Sequence, residues 1–124
     1  MAELLYRDES YEIIGRCMDV HNNLGKGFLE IVYKDALEYE FNKKGIPFER
    51  EKKYEVHYKG IILPHNFFAD FVVYDKIILE VKCMSGIADE HIAQTLNYLK
   101  VSGNKLGLIV NFGDLSLQYK RVVL

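Results

Sequence analysis

Tryptophan is absent from this chain of 124 residues, and proline and cysteine each occur only twice. The two cysteines, Cys17 and Cys83, lie far apart and show no CxxC spacing. That argues against a disulfide framework and against a zinc knuckle, and leaves two reduced, mostly buried thiols. Long apolar runs are missing too: no stretch reaches the ~18 residues of a membrane span. Residues 1–7 lack the basic-then-apolar layout of a signal peptide, so a cytoplasmic protein is expected. Nor does one sign of charge dominate, since 16 basic against 18 acidic residues leave a net charge of -2. A protein that coats nucleic acid is usually strongly basic, so any nucleic-acid contact should rest on a local patch. Metal chemistry stays open, because a cation offsets the charge of clustered carboxylates.

What is present is a chain with 49% hydrophobic and 27% charged residues. It has the length and composition of one soluble domain over residues 1–124. No repeat, linker or low-complexity segment interrupts it.

The pattern of apolar residues predicts the order α-α-β-β-β-α-β-β. A first helix is expected over 8–24, with Ile13, Ile14, Cys17, Met18 and Leu24 as its stripe and Asp8 or Ser10 as its cap. His21 in the last turn either complements the helix dipole or belongs to a site. Gly25-Lys26-Gly27 breaks the chain and lacks the full pattern of a phosphate loop. A second helix follows over 28–44, offering Leu29, Val32, Ala36, Leu37, Tyr39 and Phe41 for packing, with Gly45 as its stop. Strands are expected over 47–58 and from 61, with a bulge or an edge near Pro64, resuming over 67–73. Further strands span 77–83, 106–110 and 115–123. Between them, a helix over 89–101 uses Ile92, Ala93, Leu96 and Leu99 as its apolar face.

Charge within the stretch 67–84 needs an explanation. Asp70, Glu80 and Lys82 are set into two apolar, β-branched runs, where charges are costly unless paired or bound to a metal. Glu80 and Lys82 are two apart and share a strand face. Two nearby carboxylates repel and are tolerated when a divalent cation binds between them. A lysine beside them can orient or help deprotonate a water and offset charge on a phosphate. Geometry decides whether Asp70 joins. A two-residue turn at Asp75-Lys76 places Asp70 opposite Val81 and turns Glu80 away. A three-residue loop Tyr74-Asp75-Lys76, or a bulge, brings Asp70 and Glu80 to one face, and we expect one of these. The plainer reading is that all three are outward residues of a one-sided sheet. The basic cluster Lys43, Lys44, Arg50, Lys52 and Lys53 reads first as a solvated face.

Several ordered segments carry a resemblance. Asp70, then Glu80-Val81-Lys82, resembles the core of the PD-(D/E)xK nuclease superfamily. Gly27-Phe28-Leu29-Glu30-Ile31-Val32-Tyr33 resembles the signature of the GxxExxY family placed in that superfamily. The likeness continues through Tyr58-Lys59-Gly60, Gln94-x-x-Asn97-Tyr98-Leu99 and Asn111-Phe112-Gly113. It implies a mixed sheet flanked by helices, with a restriction-endonuclease-like core. It also implies that Glu30 is the helix carboxylate, and that Asp70, Glu80 and the Val81 carbonyl hold Mg2+ or Mn2+. Lys82 would be the catalytic lysine, and Gln94 and Tyr98 the QxxxY pair that arranges the site and the nucleic-acid backbone. Two positions depart from the pattern: Ala69 replaces the motif proline, and Phe68 stands where many relatives carry a basic residue.

The expected function is hydrolysis of phosphodiester bonds, in DNA ahead of RNA. The alternative is a non-catalytic nucleic-acid-binding or protein-interaction module on the same fold. So short a chain has little surface to grip a duplex, and a homodimer would enlarge it.

Overall fold

In the computed structural model, residues 4–124 are described; the first three residues of the stretch read above for targeting lie outside them. The elements run α1 (Arg7–Leu24), α2 (Glu30–Lys44), β1 (Phe48–Tyr58), β2 (Ile61–Val73), β3 (Ile77–Lys82), α3 (Asp89–Ser102), β4 (Leu106–Asn111) and β5 (Gln118–Val123). This is the expected order.

The strands form one mixed sheet in the order β1-β2-β3-β4-β5. Neighbours are antiparallel except β3 and β4, which are parallel. Parallel neighbours need a long crossover, and α3 supplies it. Alternation along the strands gives two apolar faces. Phe71, Val73, Ile77, Leu79, Val81, Leu106, Leu108 and Val110 pack with α1 and α2. Val72, Ile78, Ile109 and Val122 pack on the other face with Tyr98 and Leu99 of α3. At Gly107 a Cβ would stand 2.5 Å from the Thr95 methyl, so the absent side chain is what lets α3 lie this close to β4.

Details of the helices depart from expectation. On α1 the buried stripe is Ile13, Ile14, Cys17, Val20 and His21, and Met18 is exposed. Neither Asp8 nor Ser10 caps it. Tyr6 is the cap residue, in a left-handed conformation, and the Ser10 hydroxyl instead donates to the Tyr6 carbonyl at 2.7 Å. The second helix starts at Glu30 because Leu29 is still extended. Its buried face is Tyr33, Lys34, Leu37 and Phe41, at three- and four-residue spacing, and this leaves Leu29 and Tyr39 in solvent. On α3, Ala93 is exposed and the face turns towards His91, Thr95, Tyr98 and Leu99. No helix among the described residues is long and apolar enough to cross a membrane.

Pro64 does not end its strand; β2 runs through it. The expected irregularity is present as a register shift, with residues 63–65 of β2 set against Val56 alone. At the far end, β5 begins at Gln118, three residues later than expected, and Leu115 is exposed.

Candidate active site

The site lies where β2 and β3 part. Val73 pairs with Ile77, Val72 with Ile78 and Phe71 with Leu79, which makes Tyr74-Asp75-Lys76 a three-residue loop. Tyr74 and Asp75 both adopt left-handed backbone, at φ 55° and 58°. This parity brings Asp70 opposite Glu80. Carboxylates there replace the ladder: the Asp70 N–H donates to Glu80 Oε2 at 2.8 Å, and the Val81 N–H donates to Asp70 Oδ2 at 2.8 Å. A strand residue directs its N–H and C=O to the same edge, so the Val81 carbonyl also faces this opening.

Glu80 is 2% exposed. Burial, and then the nearby Asp70 charge, push its carboxyl up to about 8, although the Asp70 N–H, Lys82 and Lys34 all favour ionisation. Burial and a like charge close by both favour the neutral form of a carboxyl. Lys82, two residues on, reaches across to α3, where its Nζ lies 3.3 Å from Gln94 Oε1. Tyr98, one turn beyond Gln94, is buried and set edge-on against Phe67 with ring centroids 5.9 Å apart. Burial first, then the Glu80 and Asp70 charges, raise its hydroxyl to about 12. Glu30 opens α2 with its residue exposed. Its carboxyl is raised by partial burial and by Asp70, and Lys82 and Lys34 oppose that shift. Glu30, Asp70, Glu80, Lys82, Gln94 and Tyr98 therefore lie near one another, with the Val81 N–H bonded to Asp70.

Two neighbours escaped the sequence reading. Lys34 is almost fully buried, and its Nζ donates to Asp70 Oδ1 at 2.9 Å and to Glu51 Oε1. Burial disfavours its charge, but the bonds to Glu51 and Asp70 outweigh that and hold it protonated above its ordinary range. Glu51 of β1 adopts φ 54° within a strand, costing on the order of 1–3 kcal/mol for such a residue. Lys34 carried a faint signal in the sequence, and Glu51 carried none. Lys34 is four residues after Glu30, on the same helix face. Glu51 lies between Arg50 and Lys52, which pair with Phe71 and Ala69 on either side of Asp70.

Motif residues outside the opening hold it in place. Tyr33 donates to the Gly25 carbonyl at 2.5 Å and accepts from the Phe28 N–H at 3.3 Å, which fixes the turn before Glu30. Its ring stacks on Phe112 at 4.6 Å. The Asn111 side chain accepts from the N–H groups of Met84 and Gly113 and donates to the Met84 carbonyl, clamping the chain just after Lys82. A Cβ at Gly113 would come within 2.3 Å of Met84 backbone atoms. His21 is buried and its Nε2 lies 2.9 Å from the Asp114 carbonyl, so it joins packing and not the opening.

The basic cluster is largely tied up. Arg50 pairs with Asp35 and Glu38, Lys52 with Glu49, and Lys53 with Glu55. Both cysteines are free; Cys17 is buried and Cys83 half-buried. Among the described residues no three His, Cys, Asp or Glu side chains are grouped to hold a metal. Asp70 and Glu80 supply two hard oxygen donors, and the Val81 carbonyl offers a third, which is the ligand chemistry of Mg2+ and Mn2+. The donor set fits, with Lys34 lying against it.

The sequence profile described as PD-(D/E)XK nuclease superfamily matches residues 7–122. No curated protein matches. Among solved structures, the crystal structure of SSO0001 is similar over 95% of this chain, with a TM-score of 0.61 and 18% identity. The chain spans 59% of that protein's length. An alkaline exonuclease, LHK-Exo from Laribacter hongkongensis, is similar over 99% of this chain and 72% of its own, with a TM-score of 0.54 and 12% identity. At these identities the likeness is one of fold: a mixed five-stranded sheet with flanking helices.

Proposed function

This chain belongs to the PD-(D/E)XK nuclease superfamily, and we propose that it hydrolyses phosphodiester bonds of DNA, with RNA the less favoured substrate, using Mg2+ or Mn2+. The observation that carries the reading is the mutual lock of Asp70 and Glu80, a buried carboxylate pair whose charge conflict a divalent cation relieves. The exonuclease among the similar folds is consistent with it.

Asp70, Glu80 and the Val81 carbonyl would hold the metal. When bound, it supplies Lewis-acid polarisation of the phosphate and lowers the pKa of a bound water. Lys82 shares a strand face with Glu80 and is steadied by Gln94, so its amino group is set to orient the attacking water and offset charge developing on the phosphate. Water oxygen bonds to phosphorus, the bond to the leaving oxygen breaks, and the proton released by the water ends on that oxygen or in solvent. Glu30 at the helix start acts as a further acceptor at the rim, and the buried Tyr98 closes the wall beside Glu80. In this reading residues 1–124 form one nuclease-like domain acting in the cytoplasm, and a homodimer would extend its grip on a duplex.

The test is cleavage of single- and double-stranded DNA and RNA with Mn2+, alongside Asp70→Asn and Lys82→Ala. Loss in both variants supports the reading, and activity that survives both overturns it. The second reading, a non-catalytic binding module, is favoured by the Lys34–Asp70 ion pair and by exposed Phe68. Binding of nucleic acid without cleavage under any divalent cation would establish it instead.

A further inference from the structure

We propose that Lys34 is the resident counter-cation of the site, and that a divalent ion enters by sending the Lys34 ammonium away from Asp70 and onto Glu51. The inference rests on the metal-dependent reading above and adds two residues that the motif does not contain.

The Asp70 carboxylate is spoken for on both sides. Oδ2 accepts the Val81 N–H at 2.8 Å, and Oδ1 accepts Lys34 Nζ at 2.9 Å. An ion approaching Asp70 therefore meets an ammonium already at the oxygen it needs. Two cations at one oxygen repel strongly in a site this dry, where the Asp70 and Lys34 side chains are 13% and 9% exposed.

The ammonium has somewhere to go. Its second partner, Glu51, lies on β1 between Arg50 and Lys52, whose partners Phe71 and Ala69 flank Asp70, and is itself 49% exposed at the side chain. Glu51 is held at φ 54°, a backbone conformation that disfavours glutamate but keeps its carboxylate on Lys34. An ordinary ion pair at a strand surface needs no such distortion. Glu51 thus keeps Lys34 neutralised when the Asp70 contact is given up, and Asp70 remains fixed by the Val81 N–H. In the metal-free protein the same ammonium offsets the charge of Asp70. Lys34 and Glu51 are positioning residues: they act through Asp70.

Calorimetric titration of the full chain with Mg2+ or Mn2+, without nucleic acid, tests this. Lys34→Met should tighten divalent binding about tenfold, from the removed repulsion, even as the metal-free Tm falls. Glu51→Gln should weaken binding with Lys34 present and leave it unchanged in the Lys34→Met background. A merely structural lysine would lower Tm and leave affinity the same or weaker, and that result overturns the proposal. Equal weakening by Glu51→Gln in both backgrounds would make Glu51 a ligand and overturn it as well. A measurement free of folding defects follows the Lys34 ammonium resonance in the wild-type protein by NMR as Mg2+ is added. It should shift with the calorimetric midpoint; a resonance that stays fixed overturns the proposal. If the wild-type chain binds no divalent ion, the metal reading falls and this one with it. Binding by wild type with unchanged Lys34→Met affinity removes this inference alone.

Discussion

Asp70 and Glu80 hold each other through backbone as well as charge: Glu80 Oε2 accepts the Asp70 N–H at 2.8 Å, while Asp70 Oδ2 accepts the N–H next to Glu80, that of Val81. Neither side chain can swing away without leaving a buried N–H unpaired, a loss of roughly 1–3 kcal/mol. The repulsion between them is therefore built into the β2–β3 register. This fixes a pair of oxygen donors before any ligand arrives, which is the preorganisation that metal-assisted hydrolysis needs.

The first prediction concerns pH. Glu80 is raised in the folded protein to about 8, chiefly by burial. A group raised on folding stabilises fully below its unfolded pKa, and that stabilisation is lost as pH rises through the folded value. Metal-free stability should thus fall by at least ~1 kcal/mol between pH 5 and pH 8.5. Urea melts across that range should show the slope. Glu80→Gln should flatten it, and saturating Mg2+ should reduce it. A flat wild-type profile would show that Glu80 ionises at its ordinary pKa.

The second prediction concerns the clamp behind Lys82. Asn111 and Gly113 tie the chain at Met84 to the end of β4. Gly113→Ala forces a Cβ to within 2.3 Å of the Met84 backbone, so this segment must move. Overpacking of this kind costs typically ~1–3 kcal/mol. Cleavage should fall more steeply than stability, because Lys82 sits two residues before the displaced atoms. Chemical denaturation and initial rates on the same samples separate the two effects.

Much of this arrangement is legible in the sequence. Period-2 and period-3.6 patterning yielded the element order, and hairpin parity reduced the question of a shared Asp70–Glu80 face to the length of one loop. Side-chain burial on the helices was less legible. Met18, Leu29 and Tyr39 are apolar yet exposed, because a stripe of three or four residues per two turns already fills the contact with the sheet. Lys34 was missed for the converse reason. A lysine on an amphipathic helix reads as solvent-facing, and only the packing of α2 beside β2 brings it to Asp70. Glu51 hides behind a backbone conformation that alternation cannot reveal. Long-range ion pairs depend on tertiary placement, and local spacing carries little of that information.

The third prediction uses the thiols. Cys17 is wholly enclosed in the core, and burial pushes its thiol far up. Cys83 is half-buried at the site, raised by burial and then by the Glu30 charge. Thiolate is the reactive form, so alkylation of the native chain should modify Cys83 alone, and slowly. Glu30→Gln should speed that labelling while leaving Cys17 untouched. Mass spectrometry of the labelled peptides reads both outcomes, and early modification of Cys17 would indicate that the α1 packing opens readily.

The fourth prediction separates positioning from packing at Lys82. Gln94 Oε1 lies 3.3 Å from Lys82 Nζ in an exposed contact, so its loss should leave Tm nearly unchanged. Gln94→Ala frees the amine to sample other rotamers, and kcat should fall about tenfold, the scale of a ~1.4 kcal/mol change in barrier. Gln94→Glu should be worse despite its similar shape. It offers a carboxylate to the same ammonium, which then forms an ion pair in place of a neutral hydrogen bond and is held away from the phosphate. The order wild type, Gln94→Ala, Gln94→Glu in kcat, with KM changing less, is the expected signature. If the two variants lose activity equally, Gln94 contacts substrate itself, and the Lys82 contact is incidental.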